Sequence, residues 1–438
     1  MRRGSFILRL ALTLAVLLSL FLTWKIWTGN AQYQQATKST DTEQVTNSTP
    51  TEQELYLPTK ILVCDSNGKI WQVYNTHDNL PENLHNCAET WTISNVHKVS
   101  NLSNEEYLNK LTMPNSLTMN YETNINSYMF DRIIPFAKHV KRNFRFNRIQ
   151  LLLTKKSKQI NFFNDQTHAM YTAELQKYHP QPVIMLLKRV DIKLPVIQKW
   201  HDNNLWTEYP NGIQLAPYAY LVTQQMQTQY IASLFNSKNP NDVDAHENDG
   251  NTIYSLGTSK RLTLSHNNGL LIFNKFNIGD VSGLQDLLVS GERSIKPIAN
   301  SLTNLRYFAV NETHKTIDYR CFVEGFPIFA SAHRSLIQVN FANNNEQLVF
   351  NNNILQVPLP TQNKMVNLPT TTQVLNELQQ VGINNKQIQN IILGYQWQTA
   401  LSSNQVVNLQ PTYYVQIDND WQAYQTIIER QMTNKAGY

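Results

Sequence analysis

The chain has 438 residues, long enough for two to four domains. Hydrophobic residues make up 41% and charged residues only 16%, so most of the chain can build cores and a wholly disordered protein is excluded. The polar remainder is Asn, Gln, Thr and Ser rather than charge, which suits β-rich surfaces; a net charge of +5 over this length neither demands nor excludes an anionic partner. Three cysteines, Cys64, Cys87 and Cys321, are too few for a disulfide scaffold. Cys64 and Cys87 could pair; the alternative is three buried thiols. No C-x-x-C or Cys/His cluster marks a zinc site, and no cofactor is expected.

Residues 1–5 form a short basic leader, and 6–27 read as a transmembrane helix. The uninterrupted apolar stretch Leu10–Trp24 makes roughly 22 Å of helix, short of the ~30 Å hydrocarbon core. Arg9 and Lys25 can snorkel to recover the difference. Trp24 and Trp27 fall where an interfacial aromatic belt belongs. These four residues are therefore the expected contacts with membrane lipid. Arg2, Arg3 and Arg9 hold the leading end in the cytoplasm, which places the bulk of the chain outside. A cleaved signal peptide is the rival, but Lys25 inside the apolar run and the bulky Trp27 favour an anchor. Ala11, Ala15, Ser19 and Thr23 recur every four residues, a stripe of small side chains along which a second helix can approach closely.

Residues 28–56 are polar and aperiodic and read as a flexible linker. The first outer domain is expected over 57–185. Lys60–Cys64 and Lys69–Tyr74 flank Asn67-Gly68 as a β-hairpin. Asn101–Leu111 reads as a helix opened by a Ser103-to-Glu106 capping box. Ile149–Leu153 reads as a strand, and Thr167–Lys177 as helix-like. A second domain is expected over 186–300. Its strands are Thr252–Leu256, Arg261–Ser265 and Leu270–Phe276, with Asn268-Gly269 turning the last pair. Ser282–Leu288 and Ile295–Leu302 read as two helices. The third domain, 301–438, carries strand pairs at Arg306–Asn311 with Thr316–Val323 and at Leu336–Phe341 with Gln347–Phe350. Gly325-Phe326-Pro327 reads as a turn. Thr371 or Thr372 caps a helix that Gly382 ends. Strands Ile388–Gln398, Val406–Leu409, Thr412–Ile417 and Trp421–Tyr424 close a sheet. The fold class is thus α+β, the last two domains suggesting a duplication without a visible sequence repeat.

Constellations for catalysis are missing. Ser66 and Lys69 have S-x-x-K spacing but sit in a hairpin turn, and His246-Glu247 has no second histidine, so no enzyme is expected. The acidic loop Asp242, Asp244, Glu247, Asp249 fails the spacing of an EF-hand. The strongest basic cluster runs from Lys138 to Lys158 and includes Arg142, Arg145 and Arg148, interleaved with Phe144 and Phe146. Outside a cell the plausible anions for such a cluster are lipid headgroups or cell-wall polymers, not nucleic acid, and the alternative, which the pattern favours, is simply a basic face beside apolar core positions.

Several stretches together resemble one family. Ser19–Trp24 with Ile26-Trp27 is similar to the anchor of the YycH family, membrane regulators of an essential cell-wall sensor kinase in Gram-positive bacteria. Tyr254–Phe276 with Gly257 and Arg261 resembles that family's middle domain. Tyr319-Arg320 and Gly325–Phe329 resemble a strand pair of its last domain. Leu393-Gly394-Tyr395, Leu409–Tyr414 and Asp420-Trp421 resemble its closing sheet, in the same order. The resemblance implies one helix starting in the cytoplasm, three outer domains and no catalysis. It implies a complex with a YycI-like partner regulator and a YycG/WalK-like sensor histidine kinase, regulated largely through transmembrane helices. The stripe Ala11, Ala15, Ser19, Thr23 then becomes the candidate partner interface. An anchored binding protein for a cell-wall polymer, using the basic cluster, is the alternative.

Overall fold

The computed structural model describes residues 52–436, apart from 77, 100–101, 139, 142, 155–156, 238–241, 300–301, 361–363 and 400–404, together with Leu12 and Ser19. The chain divides into two compact units, Met1–Asn47 and Ser48–Tyr438. In the first, Leu12 and Ser19 are helical and exposed, and the rest of the predicted span 6–27 lies outside the described residues. Among the described residues no helix is long and apolar enough to cross a membrane.

The second unit is mixed α+β and strand-dominated. Its first sheet holds β1 (Lys60–Cys64), β2 (Ile70–Tyr74), β3 (Thr92–Val99), β4 (Ser116–Asn126), β5 (Arg145–Leu152), β6 (Gln159–Asn164), β7 (Ala169–Gln176), β8 (Ile192–His201) and β9 (Asn204–Glu208). The order is β3-β7-β6-β5-β4-β1-β2-β8-β9, antiparallel throughout. β10 (Ile213–Leu215) starts the second half; it pairs not with the larger sheet but with β22 (Val366–Leu368).

The larger sheet has 14 strands. They are β11 (Tyr218–Gln224), β12 (Asp244–Asn248), β13 (Asn251–Leu256), β14 (Lys260–Ser265), β15 (Leu270–Lys275), β16 (Leu305–Asn311), β17 (Thr316–Val323), β18 (Phe326–Phe329), β19 (Leu336–Ala342), β20 (Asn345–Asn351), β21 (Asn353–Leu359), β23 (Ile388–Thr399), β24 (Val406–Ile417) and β25 (Asp420–Ala423). Its main path is β12-β13-β14-β15-β20-β19-β17-β18-β23-β24-β11-β21, with β16 on β17 and β25 on β24. Only β18 and β23 pair in parallel among these strands.

Period-two burial builds these sheets. In β19, Ile337, Val339 and Phe341 point inward between half-buried polar neighbours. One hydrophobic cluster runs through both sheets, from Phe146 and Phe162 in the first to Tyr319, Ile337 and Leu348 in the second. Each such side chain contributes about 1.5–3 kcal/mol of burial. The helix Gly283–Ile295 packs on β17, β19 and β4, and its buried face carries Leu284, Leu287 and Leu288. It thereby ties the two sheets together.

Local signals and structure agree at both Asn-Gly hairpins and at the Ser103 capping box, where Ser103 Oγ and Glu106 satisfy each other's backbone N–H. Several expectations change, among them the two strands expected at Val406–Leu409 and Thr412–Ile417, which are one unbroken strand, β24. Thr167–Lys177 is not helical: its Ala, Glu, Leu and Gln favour a helix, but the segment is β7, laddered on both sides by β3 and β6. The two helices expected over 282–302 are one, Gly283–Ile295, followed by turns. The turn after β17 is tighter than Gly325-Phe326-Pro327. Glu324 and Gly325 take positive φ, and Phe326 and Pro327 already belong to β18. The cap of Thr371–Gln380 is Thr370, reciprocated by Gln373. All three cysteines are free thiols, so Cys64 and Cys87 do not pair.

Candidate functional site

The two sheets meet through matching irregularities. The register of β4 on β5 shifts between Asn120 and Ile125, and that of β16 on β17 shifts between Tyr307 and Ala309. Bulges bend a strand and re-aim its side chains. Here they bring Thr123 and Asn124 against Tyr307. Tyr307 Oη donates to Asn124 O at 2.8 Å and lies 2.8 Å from Thr123 Oγ1, which also accepts from Val310 N at 3.0 Å. Trp206 Nε1 donates to Gln389 O at 3.1 Å, and Asn390 Nδ2 reaches Glu122 Oε2 at 3.4 Å.

Beside these contacts opens a cleft of about 720 Å³, walled by both sheets. That is within the roughly 300–1,000 Å³ typical of ligand pockets. Two rows of side chains cross its larger wall. Asn390, Gln416 and Trp421 are successive cross-strand partners on β23, β24 and β25. Ala309, Asp318 and Gln338 are partners on β16, β17 and β19. All six line the cleft.

Its carboxylates are compensated. Arg148 Nε holds Asp165 at 2.8–2.9 Å, while Tyr107 Oη and Asn147 Nδ2 donate to the same group. Arg145 pairs with Glu312 at 2.6 Å, and Lys60 stands 3.6 Å from Glu122. Burial pushes the Asp318 carboxyl above its usual range, with Arg320 and a hydrogen bond from Gln338 Nε2 at 2.9 Å opposing. What remains is carboxamide: eleven of the 24 lining residues are Asn or Gln, so the surface offers paired donors and acceptors more than net charge.

Among the described residues, the basic cluster is partly buried and partly spent in ion pairs. Phe144, Phe146 and Arg148 are buried, and Arg145 and Arg148 are already paired. Lys138, Lys141 and Lys158 are resolved apart from those pairings, whereas Arg142, Lys155 and Lys156 lie outside the described residues. The acidic residues Asp242, Asp244, Glu247 and Asp249 are on or beside the β12–β13 hairpin, and β12 is exposed along its length. Of the predicted transmembrane interface, Ser19 is helical and exposed; Ala11, Ala15 and Thr23 lie outside the described residues, as do Arg9, Trp24, Lys25 and Trp27. Sequence inspection missed the cleft altogether, because its lining runs from residue 122 to residue 421 with no local motif.

The outer unit is thus a two-sheet α+β body with a carboxamide-rich cleft where the sheets meet. Two family models match the chain: "YycH protein, N-terminal domain" over residues 6–190 and "YycH protein, C-terminal domain" over 210–431. The chain belongs to the YycH family, whose members are regulatory proteins of the YycG/WalK two-component system. Among solved structures it is similar to the crystal structure of YycH from Bacillus subtilis. The TM-score is 0.70 at 13% identity, over 87% of this chain and 99% of that one. That likeness shows the fold. No curated protein matches.

Proposed function

We propose that this chain is a membrane-anchored, non-catalytic regulator of an essential cell-wall sensor histidine kinase, acting with a YycI-like partner. The single observation supporting this is the family match along nearly the whole chain, which begins at residue 6 and so includes the apolar segment 6–27. In this account the outer portions 57–185, 186–300 and 301–438 pair with the partner regulator and hold the anchors together. The stripe Ala11, Ala15, Ser19, Thr23 then packs against a kinase helix, while Arg9, Trp24, Lys25 and Trp27 fix its depth in the lipid. A regulator shifts a kinase between two arrangements only by binding one better than the other, and ~1–3 kcal/mol of coupling suffices.

The test is affinity capture of the full-length protein from solubilised membranes, beside a chain whose Leu10–Trp24 span is replaced by an unrelated apolar one. Kinase and partner regulator are expected with the first, and the kinase is lost with the second. Retention of the kinase by both chains removes the helix from the mechanism. Ala15→Leu or Ser19→Leu is expected to change target-gene output at least severalfold while leaving the outer unit folded by circular dichroism.

A further inference from the structure

The junction cleft carries a chemistry to which the proposed regulatory function assigns no role. Its lining is neither a charged trap nor an apolar slot. The carboxylates Asp165, Glu312 and Glu122 are each occupied by a cation of this chain, which leaves little field for an ionic ligand. Carboxamides dominate; Asn147 and Asn390 are bonded at both ends within the chain, and those left open, Gln416 among them, present a donor and an acceptor side by side, the pattern that matches a hydroxyl or an acetamido group.

The row Asn390–Gln416–Trp421 sharpens this. Gln416 and Trp421 stand directly opposite each other on β24 and β25, so their side chains share one face. Both line the cleft and both are half-buried. Among the described residues neither the Gln416 carboxamide nor the Trp421 indole N–H has a hydrogen-bond partner. Both keep exposed area inside the cleft, so both are available to a ligand there. The indole is also fixed in place, since it packs against Phe308 and Phe329 at centroid distances of 5.8 and 5.9 Å. Asn390 extends the row, with its amide oriented by Glu122 and by its bond to Ile391 N. A fixed indole beside the open Gln416 carboxamide gives an apolar face for sugar C–H groups and a polar contact for hydroxyls.

We infer that this cleft binds a neutral, hydroxyl-rich oligosaccharide, with Trp421 as the stacking platform and Gln416 and Asn390 as its hydrogen-bonding partners. Asp318 and Gln338, on the other row and bonded to each other, line the same cleft from β17 and β19. The site is independent of the kinase reading: it requires only the outer unit.

The experiment uses the full-length chain in a polyoxyethylene detergent, which contains no sugar. Calorimetric titration and tryptophan fluorescence follow the addition of tetra-N-acetylchitotetraose, maltotetraose and a sulfated heparin tetrasaccharide. Saturable binding of at least one neutral tetramer is expected, weakened tenfold or more in Gln416→Ala and in Trp421→Phe. The second variant keeps an aromatic ring near Phe308 and Phe329 but loses the broader indole face and its N–H, so it weakens the platform while guarding against misfolding; thermal midpoints confirm that both remain folded. Binding of neither neutral sugar, binding of the sulfated sugar alone, or affinities unchanged in both variants overturns the assignment. Each of those results leaves the regulator reading intact, because capture of the kinase is measured separately.

Discussion

Glu324 occupies a left-handed position in the tight turn joining β17 to β18, with φ of +50°. Tyr74 packs on this turn, 3.4 Å from where a Cβ on Gly325 would lie. Glu324 Oε2 is buried without a hydrogen bond, and the groups electrostatically coupled to it are Asp191, Tyr74, Tyr218, Tyr220 and Tyr395. Burial, reinforced by the negative charge of Asp191, pushes this carboxyl from an ordinary 4.5 up to about 8. A carboxyl with a raised folded value holds an extra proton in the folded state between those two limits. Stability is therefore full below pH 4.5 and falls as pH rises towards about 8. Glu324→Gln imitates the protonated form, so it is expected to exceed the wild type by about 2–4 kcal/mol above the window, and to match it at the acid end. Urea unfolding across the window measures the gap; a gap independent of pH would show that the Glu324 carboxyl titrates alike in the folded and unfolded chain, which would overturn the raised value. Gly394 makes a steric demand at the same scale. A methyl group there would come within 2.8–2.9 Å of Phe329 ring carbons and 2.9 Å of Pro327 O. Gly394→Ala is expected to cost about 1–3 kcal/mol, read as a lower urea midpoint with an unchanged slope.

Elements were legible where the code is short. The hairpins around Asn67-Gly68 and Asn268-Gly269 are marked by an Asn-Gly turn signal between two short runs, and the structure pairs Cys64 with Ile70 and Leu264 with Leu271 across it. The helix Asn104–Leu111 is similarly local. Ser103→Ala removes one half of its capping box and is expected to cost about 1 kcal/mol, seen as a lower thermal midpoint. Partner-dependent elements were not legible. β7 is built from helix formers and becomes a strand because β3 and β6 supply ladders on both edges. Gly291 stays inside its helix because a side chain there would strike Ile317 and Tyr319, a constraint set by a strand 26 residues away in sequence. The basic run looked like a surface because sequence cannot show which cations are spent. Arg148 ends up buried on β5, held by Asp165, Gln198 Oε1 and the Leu205 carbonyl. The family motifs were legible as an ordered set, and the family models now cover them. The cleft was invisible, since an Asn- and Gln-rich composition does not say which amides converge.

At the scale of the whole outer unit, the question is whether its two sheets behave as one body, and Arg306 is the residue that tests it. Its guanidinium is buried, and burial lowers its ionisation to about 10. Nη1 donates to Pro58 O at 3.0 Å, Nη2 to Asn79 Oδ1 at 2.9 Å, and Nε to Asn304 Oδ1 at 3.0 Å, with Phe322 beneath at 5.1 Å. Pro58 leads into β1, and Asn79 is the N-cap of the helix Leu80–Ala88, so one side chain from β16 anchors two elements of the other sheet. Arg132 with Glu292 at 2.7 Å and Tyr56 Oη with Leu288 O at 3.2 Å add further ties through the helix Gly283–Ile295. Arg306→Ala strands the acceptors on Pro58 and Asn79 inside the protein and is expected to cost about 2–4 kcal/mol. Arg145→Ala breaks an exposed pair across the same junction and is expected to cost no more than about 1 kcal/mol. Hydrogen exchange separates the two cases. Arg306→Ala should lower protection in both 57–88 and 305–323, the signature of one cooperative unit, whereas Arg145→Ala should leave both nearly unchanged. Loss confined to one of those segments would mean that the sheets open independently, and the cleft between them would then be a hinge rather than a fixed site.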